Sequence, residues 1–177
     1  DCERLLYIVL EAFQQSFDLV FNFDKDLFEI LFLSLRVSLV SLLLSCLIGL
    51  PLGTILAIKN FWFRDSILII FNTMMGLPPV VVGLIVYIII SRSGPLGRMG
   101  ILYTPTAMII AQMILIIPII VSLSAQIIEE IQLEYKNLFK SLVISSQDAV
   151  KAYLFDARYS ILTVMLAGFG RAISEVG

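Results

Sequence analysis

The charge-free run SILIIFNTMMGLPPVVVGLIVYIIIS at residues 66–91 decides the fold class. About 20 apolar residues in a helix are enough to cross the hydrocarbon layer of a membrane. Two further runs are similar: residues 30–58 contain Arg36 as their only charge, and residues 99–128 contain none. A buried helix of a large soluble protein can resemble one such run, but not three in a chain of 177 residues. The sequence therefore predicts an all-α, polytopic membrane helix bundle.

The composition agrees with this class and excludes several others. Hydrophobic residues make up 59% of the chain and charged residues 15%, against roughly 45–50% and 25% in soluble globular domains. The net charge of −2 comes without a basic stripe, so nucleic-acid binding is not predicted. Because the chain has no His and only two cysteines, we expect no metal site. It also lacks a Gly-rich phosphate loop followed by Lys and Ser or Thr, so we expect no ATP hydrolysis, no enzyme activity and no cofactor of its own.

The N-terminal region, residues 1–26, differs from the rest of the chain. Apolar residues recur at helical spacing over residues 3–21, and polar residues share the opposite face. Such an amphipathic helix either lies in the membrane surface or packs on the protein's own outer face. An acidic linker, residues 22–26, follows it. The chain begins with Asp1 rather than Met, so we expect it to be processed or a fragment.

The remainder, residues 27–177, is predicted to be one transmembrane domain. We expect four spans, at about residues 27–58, 65–91, 104–128 and 156–177, with a loop at residues 129–158. The fourth apolar helix is cut off at Gly177 before it can be followed out of the membrane, so the domain is interpreted as C-terminally truncated.

Glycine and proline interrupt the first three spans. A proline removes a helical hydrogen bond, and unpaired backbone groups in lipid are tolerated only against protein or a water-filled cavity. An interruption is therefore either a packed kink or a break that faces a pore. The candidate helix breaks are Pro51, Gly76, Pro78, Pro79 and Pro118.

Lysine and arginine residues are more frequent on one side of the predicted spans. Six lie in the loop at 129–158 and the turn at 59–64, and four lie on the other side. Since loops rich in Lys and Arg tend to stay in the cytoplasm, this asymmetry places the loop at 129–158 in the cytoplasm and the N-terminus outside.

Several segments resemble a known family. Residues 141–147, SLVISSQ, followed by Asp156-Ala157-Arg158, resemble the coupling loop of ABC importer permeases, which carries an EAA…G pattern and docks on an ATP-binding subunit. Residues 168–177, GFGRAISEVG, are similar to a segment of the tungstate permeases and less closely to its molybdate counterpart. SGPLG at 93–97 and YTPTA at 103–107 also match the tungstate group.

The resemblance covers residues 27–177 and implies the transmembrane domain of a type I ABC importer. Val143 stands where the family usually has the loop's Gly, and Phe155 stands where many importers have Pro. A β-branched residue avoids the left-handed backbone conformations open to Gly, so the turn here must differ or lie elsewhere. The implied ATPase-coupling residues are Val143, Ser145, Ser146, Gln147, Asp148, Ala149, Asp156, Ala157 and Arg158.

Charged and polar side chains inside the spans form the candidate translocation path. An ionisable group within a span costs about 2.5–3.5 kcal/mol, which makes it a functional candidate. Arg171 and Glu175 are four residues apart on one helix face, either as an ion pair that pins the helix or as part of an anion path. Arg36 either reaches the headgroups or faces this path. The candidate path residues are Arg171, Ser174, Glu175, Arg36, Asn72 and Gln112.

The sequence and the resemblance together predict a permease subunit for a small oxyanion, with tungstate preferred to molybdate or another oxyanion. The resemblance implies a homodimer in the lipid bilayer of a bacterial inner membrane. It also implies a cytoplasmic ATP-binding subunit and an extracytoplasmic oxyanion-binding protein. The alternative from another class is a membrane scaffold that transports nothing. An ion-coupled secondary transporter is disfavoured because no inverted repeat is visible.

Overall fold

The computed structural model describes Arg4, Tyr7, Glu11 and residues 25–59, 61–142 and 155–176. The five α-helices of these ranges are α1 (Lys25–Ile58), α2 (Arg64–Met74), α3 (Pro79–Ile90), α4 (Pro105–Leu142) and α5 (Arg158–Val176). A short 3-10 helix, Gly97–Met99, lies between α3 and α4. The described residues contain no strand, which confirms the all-α fold class.

Two helical segments among the described residues, Leu27–Ile58 and Pro105–Tyr135, are long and apolar enough to cross a membrane. The pair α2 and α3 makes a third if it is counted as one span, although the chain bends by 103° between the two helices. Helix α5 carries Arg158, Arg171 and Glu175 within 19 residues and is less apolar than these. The fourth span therefore stays a prediction, whereas the multi-pass membrane character does not depend on it.

The chain forms two compact units, Asp1–Arg36 and Val37–Gly177. In the first unit, α1 presents mostly exposed side chains between Lys25 and Arg36. Of the predicted amphipathic helix, only Arg4, Tyr7 and Glu11 are described, and all three are helical and exposed. The rest of that helix and the acidic linker up to residue 24 lie outside the described residues.

In the second unit, three helices share an apolar core. Leu42 and Cys46 from α1 pack with Ile116 and Ile120 from α4, and with Val164 and Ala172 from α5. We call α1 from Val37 onward, α4 and α5 the three-helix frame. Many large side chains on the outside of these helices, such as Leu47 and Leu166, are exposed, as expected for helices that face lipid.

Small residues bring α1 close to α4. Ser41, Ser45, Gly49, Gly53 and Ala57 recur every four residues and are all buried. A side-chain carbon added at Gly49 would lie 2.8 Å from Cγ2 of Ile120, and one added at Gly53 would lie 2.8 Å from the carbonyl oxygen of Val121. Membrane helices approach closely through such small residues, because packing replaces the hydrophobic effect as the force between them.

The predicted second span is not a single helix. Helix α2 has no buried residue, whereas α3 packs on α4 through a cluster of Val82, Val86, Ile90 and Leu115. We call α2, residues 75–78 and α3 the broken span. The segment Ser91–Thr104 connects the broken span to α4, which begins at Pro105.

The other two prolines lie inside continuous helices. Pro51 lies within α1 and Pro118 within α4, so neither ends its helix. Helix α4 also continues to Leu142, beyond the predicted end of the third span near residue 128. The chain becomes polar after residue 128 and can leave the lipid there. The helix itself continues, because residues 119–142 contain no Gly or Pro that would end it.

Candidate functional site

The predicted charge pair forms on α5. Nε of Arg171 lies 2.5 Å from Oε1 of Glu175, one helical turn further along. The Arg171 side chain is 32% exposed, whereas the Glu175 side chain is 13% exposed. Because residues four apart lie on one face of a helix, this contact follows from the sequence spacing alone.

Arg171 has a second contact that links α5 to the broken span. Its Nη2 donates a hydrogen bond to the backbone carbonyl of Leu77 at 3.3 Å. Pro78 is extended, with φ −66° and ψ 133°, and the N–H of Val81 donates to the carbonyl of Pro78 instead of that of Leu77. The chain therefore leaves the helical path at residue 77, and the freed carbonyl finds a cationic donor on another helix.

The break itself is partly satisfied by a tighter turn. Two consecutive prolines deprive the carbonyls of Met74 and Met75 of their helical donors. The carbonyl of Met74 instead accepts the N–H of Leu77 at 3.1 Å, and the carbonyl of Thr73 accepts the N–H of Gly76 at 3.1 Å. Bonds between residues three apart are the usual way in which a helix end pairs its last carbonyls.

Gln112 forms a neutral bridge inside the three-helix frame. The Ser41 hydroxyl on α1 donates to Oε1 of Gln112 on α4 at 2.7 Å. Nε2 of Gln112 in turn donates to the backbone carbonyl of Ala172 on α5 at 3.2 Å. Ser41, Gln112 and Ala172 are all buried. The amide that was predicted to line a path thus connects three helices, next in sequence to Arg171.

The other predicted path residues are more scattered. The Ser174 hydroxyl donates to the backbone carbonyl of Arg171 at 2.8 Å. Asn72 is exposed on α2, and Arg36 is exposed in the first unit. Within the described part of the chain, no group of three or more acidic or cysteine side chains could hold a metal ion. Of the predicted path residues, the structure therefore brings Arg171 and Glu175 together, with the Leu77 carbonyl beside Arg171.

The predicted coupling region is only partly described. Val143, Ser145, Ser146, Gln147, Asp148 and Ala149 lie outside the described residues. On either side of this gap, the side chain of Tyr135 on α4 hydrogen-bonds to the Asp156 side chain, just before α5. Ala157 is fully buried, and the Arg158 guanidinium lies 4.1 Å from the centre of the Phe155 ring and 4.8 Å from that of Tyr159. The Tyr135–Asp156 contact thus holds the residues just before α5 against α4.

A groove of about 430 Å³ opens between α3 and the start of α4. Its walls are mostly apolar, and its polar groups come from Tyr87, Tyr103 and Thr104. No cationic side chain lines it. This groove is therefore poorly suited to an anion, which needs cationic or N–H donors.

Sequence reasoning missed a polar network around Arg64, the first residue of α2. Its Nε donates to the backbone carbonyl of Leu56 at 2.7 Å, and Nη1 pairs with the Asp65 carboxylate at 2.9 Å. Nη2 pairs with the Glu129 carboxylate on α4. The available signal was a basic residue close to the last carbonyls of a helix, which such residues often satisfy.

A comparison with known protein families shows which family the chain belongs to. Residues 49–176 match the binding-protein-dependent transport system inner membrane components. The chain belongs to this family. The match covers the buried end of α1, the broken span, α4 and α5, and so contains the Arg171 contacts and the region around the coupling loop. The resemblance to ABC importer permeases is thereby confirmed.

Three curated relatives are similar over most of the chain. A probable anion ABC transporter permease protein of Haloferax volcanii is 40% identical over 144 residues, which are 81% of this chain and 62% of the relative. The tungstate uptake system permease protein TupB of Peptoclostridium acidaminophilum is 34% identical over 169 residues, 96% of this chain and 74% of the relative. TupB of Campylobacter jejuni is 36% identical, also over 169 residues, which are 96% of this chain and 71% of the relative. The chain thus spans about 62% of the length of the first of these permeases.

Proposed function

We propose that this chain forms the membrane-spanning part of an ATP-driven importer for a divalent tetrahedral oxyanion, tungstate first and molybdate second. Two copies would enclose the pathway, and a separate cytoplasmic subunit would bind and hydrolyse ATP. An extracytoplasmic binding protein would deliver the anion and set its specificity. The similarity to permeases named for tungstate and for anions supports the substrate class.

The Arg171 contact with the broken span is the observation that carries the anion role. A guanidinium has five N–H donors, and in the described part of the chain Glu175 and the Leu77 carbonyl engage two of its nitrogens. The side chain is partly exposed, so its remaining N–H groups can donate hydrogen bonds to an oxyanion. A path must hold its ion only weakly, and Glu175 supplies a competing negative charge that limits how tightly Arg171 binds.

The coupling role is assigned to the region between α4 and α5. The Tyr135–Asp156 contact links α4 to the residue pair just before α5, on either side of the predicted docking residues. A force applied to Gln147 and Asp148 would therefore move α4 and α5 together, and with them Arg171. In this topology residues 129–158 are cytoplasmic and the N-terminus is outside, in a bacterial inner membrane.

Tungstate uptake into vesicles tests the role of Arg171 with four genotypes of the full-length subunit, assembled with its ATP-binding subunit and binding protein. These are the unmodified protein, Arg171→Gln, Glu175→Gln and the double variant. We expect Arg171→Gln and the double variant both to abolish uptake while inserting normally, because the anion loses its cation in each. Glu175→Gln should keep measurable uptake.

Recovery of uptake in the double variant would contradict the anion role. Removing one member of a partly buried ion pair leaves an uncompensated charge, and removing both is tolerated better. Rescue would therefore show that Arg171 pins α5 to the break and does not serve the anion. Loss of uptake in all three variants with normal insertion would instead assign the role to the pair as a unit.

A further inference from the structure

Three aromatic side chains project from the turn between α1 and α2. Phe61 and Phe63 are exposed, and Trp62 is 93% exposed. The rings of Trp62 and Phe63 stack on each other, with their centres 5.8 Å apart and their planes at 18°. Adjacent exposed aromatic residues form an apolar patch, which marks a contact surface when it is not simply solvated.

The turn lies where the membrane boundary must be. Helix α1 is apolar up to Ile58 and is followed by Lys59, which is exposed. Helix α2 begins at Arg64 and enters the next apolar segment directly. A short charged turn between two membrane-embedded segments lies at the level of the headgroups, where Trp residues are enriched and where Lys side chains extend towards water.

Arg64 holds this turn to the body of the protein. Its guanidinium contacts the Leu56 carbonyl, Asp65 and Glu129. These contacts fix the end of α1, the start of α2 and the polar extension of α4 to one another. The Arg64 guanidinium is therefore committed internally, so the described outer surface of the turn presents the three rings and Lys59, with the Asp65 carboxylate exposed beside them.

We propose that Phe61, Trp62 and Phe63 are an interfacial membrane anchor, which inserts into the headgroup and upper acyl region of the bilayer. Aromatic rings beside a lysine fit that environment, because the rings bury their apolar faces while the ammonium stays among the phosphates. Arg64 is the positioning residue that sets the depth of the anchor relative to α4. The inference is independent of which anion the protein transports.

Trp62 is the only tryptophan among the 177 residues, so its fluorescence can report the depth of the turn. The full-length subunit is placed in lipid nanodiscs, with any tryptophan outside these residues changed to Phe. Quenching is then measured with phospholipids brominated near the headgroup, with phospholipids brominated near the chain end, and with iodide in the aqueous phase. We expect the shallow bromines to quench most strongly and iodide to quench weakly, with or without the ATP-binding subunit.

A matched control calibrates the depth. Leu43 is exposed in the middle of the membrane-length segment Leu27–Ile58, so Trp62→Phe combined with Leu43→Trp should be quenched more by the deep bromines than by the shallow ones. Efficient quenching of Trp62 by iodide, with little effect of either bromine, would overturn the anchor and leave a solvated turn. Protection from iodide that appears only after the ATP-binding subunit is added would overturn it in favour of a protein interface.

The positioning role of Arg64 is tested with the same signal. Arg64→Gln should shift the quenching of Trp62 from the shallow bromines towards iodide, because the turn loses its tie to Glu129. Arg98→Gln, which changes an exposed arginine of the other loop, should leave the quenching unchanged. If Arg64→Gln does not insert, Glu129→Gln removes one contact alone and should cause a smaller shift in the same direction. No shift in an inserted variant would contradict the positioning role.

Discussion

The three-helix frame and the broken span differ in how closely their helices pack. Within the frame, α1 and α4 meet through Gly49 and Gly53 with no room for another carbon atom. In the broken span, α2 has no buried residue, and Gly83 on α3 has no atom within 4 Å of the position that a side-chain carbon would take. The apolar cluster of α3 on α4 and polar contacts from Arg64 and Arg171 tie the broken span to the frame.

This difference indicates which part can move. Tightly packed helices exchange arrangements only at a large cost, because packed interiors tolerate little change in volume. Polar contacts of partly exposed side chains can be replaced by water or by a ligand at a smaller cost. In a transporter that alternates between two states by rigid-body motion, the frame would then act as one body and α2, which has no buried residue, as the element that shifts against it.

The largest effect is expected from a substitution in the tight contact. A methyl group at Gly53 would overlap the Ser124 side chain and approach the Val121 carbonyl, which is backbone and cannot move away alone. Overpacking of this kind costs about 1–3 kcal/mol, so Gly53→Ala should lower the melting temperature and Gly53→Leu should prevent folding. Thermal unfolding of the purified subunit in detergent measures both.

Gly83→Ala is the matched control in the broken span. A methyl group there meets no atom within 4 Å, and Ala is favoured over Gly within a helix by about 1 kcal/mol. The melting temperature should therefore stay the same or rise. Equal destabilisation by Gly53→Ala and Gly83→Ala would end the distinction between the tight helix contact at Gly53 and the open side of α3 at Gly83.

An intermediate effect is expected from straightening the broken span. Pro78→Ala together with Pro79→Ala restores two N–H donors, so α2 and α3 can join into one helix and Leu77 loses its free carbonyl. The subunit should insert, but anion uptake should fall strongly. Spin labels at Ser66 and Ile88 should move apart to about 33 Å, the distance along a continuous helix at 1.5 Å per residue.

Pro51→Ala is the control for that experiment. Pro51 already lies within a continuous helix, so its replacement should change neither the helix direction nor uptake. An unchanged distance between the spin labels in the double variant would show that neighbouring helices, and not the prolines, hold the 103° bend.

Part of this organisation was predictable from the sequence, and part was not. The charge-free runs predict membrane helices because helix length and the hydrocarbon thickness are both fixed, and the spacing of Arg171 and Glu175 predicts their contact. The contact with the Leu77 carbonyl was not predictable, since it joins residues that are distant in the chain. Pro51 and Pro118 looked equivalent to Pro78 and Pro79, but an isolated proline removes one hydrogen bond, whereas Gly76 and the Pro pair together end the helix.

The smallest effect is expected within the frame, where substitutions of two serines on one face of α1 can be compared. Ser41 and Ser45 on α1 are both fully buried. The Ser41 hydroxyl donates to Gln112, whereas the Ser45 hydroxyl has no hydrogen-bond partner within the described part of the chain. Ser41→Ala should cost about 1 kcal/mol, because it leaves the Gln112 oxygen buried without its donor and interhelical hydrogen bonds in membranes are worth about this much.

Ser45→Ala should leave the unfolding free energy nearly unchanged or raise it, since it removes a buried hydroxyl that has nothing to donate to. Both substitutions delete the same single atom from the same stripe, so the difference between them isolates the hydrogen bond from the packing. The unfolding free energy of each variant is measured by denaturant titration in detergent. Ser41→Ala combined with Gln112→Leu should recover part of the loss, because it removes the stranded acceptor as well. Equal losses for Ser41→Ala and Ser45→Ala would show that α1 and α4 are held by shape alone, and that the neutral bridge adds no specificity to the frame.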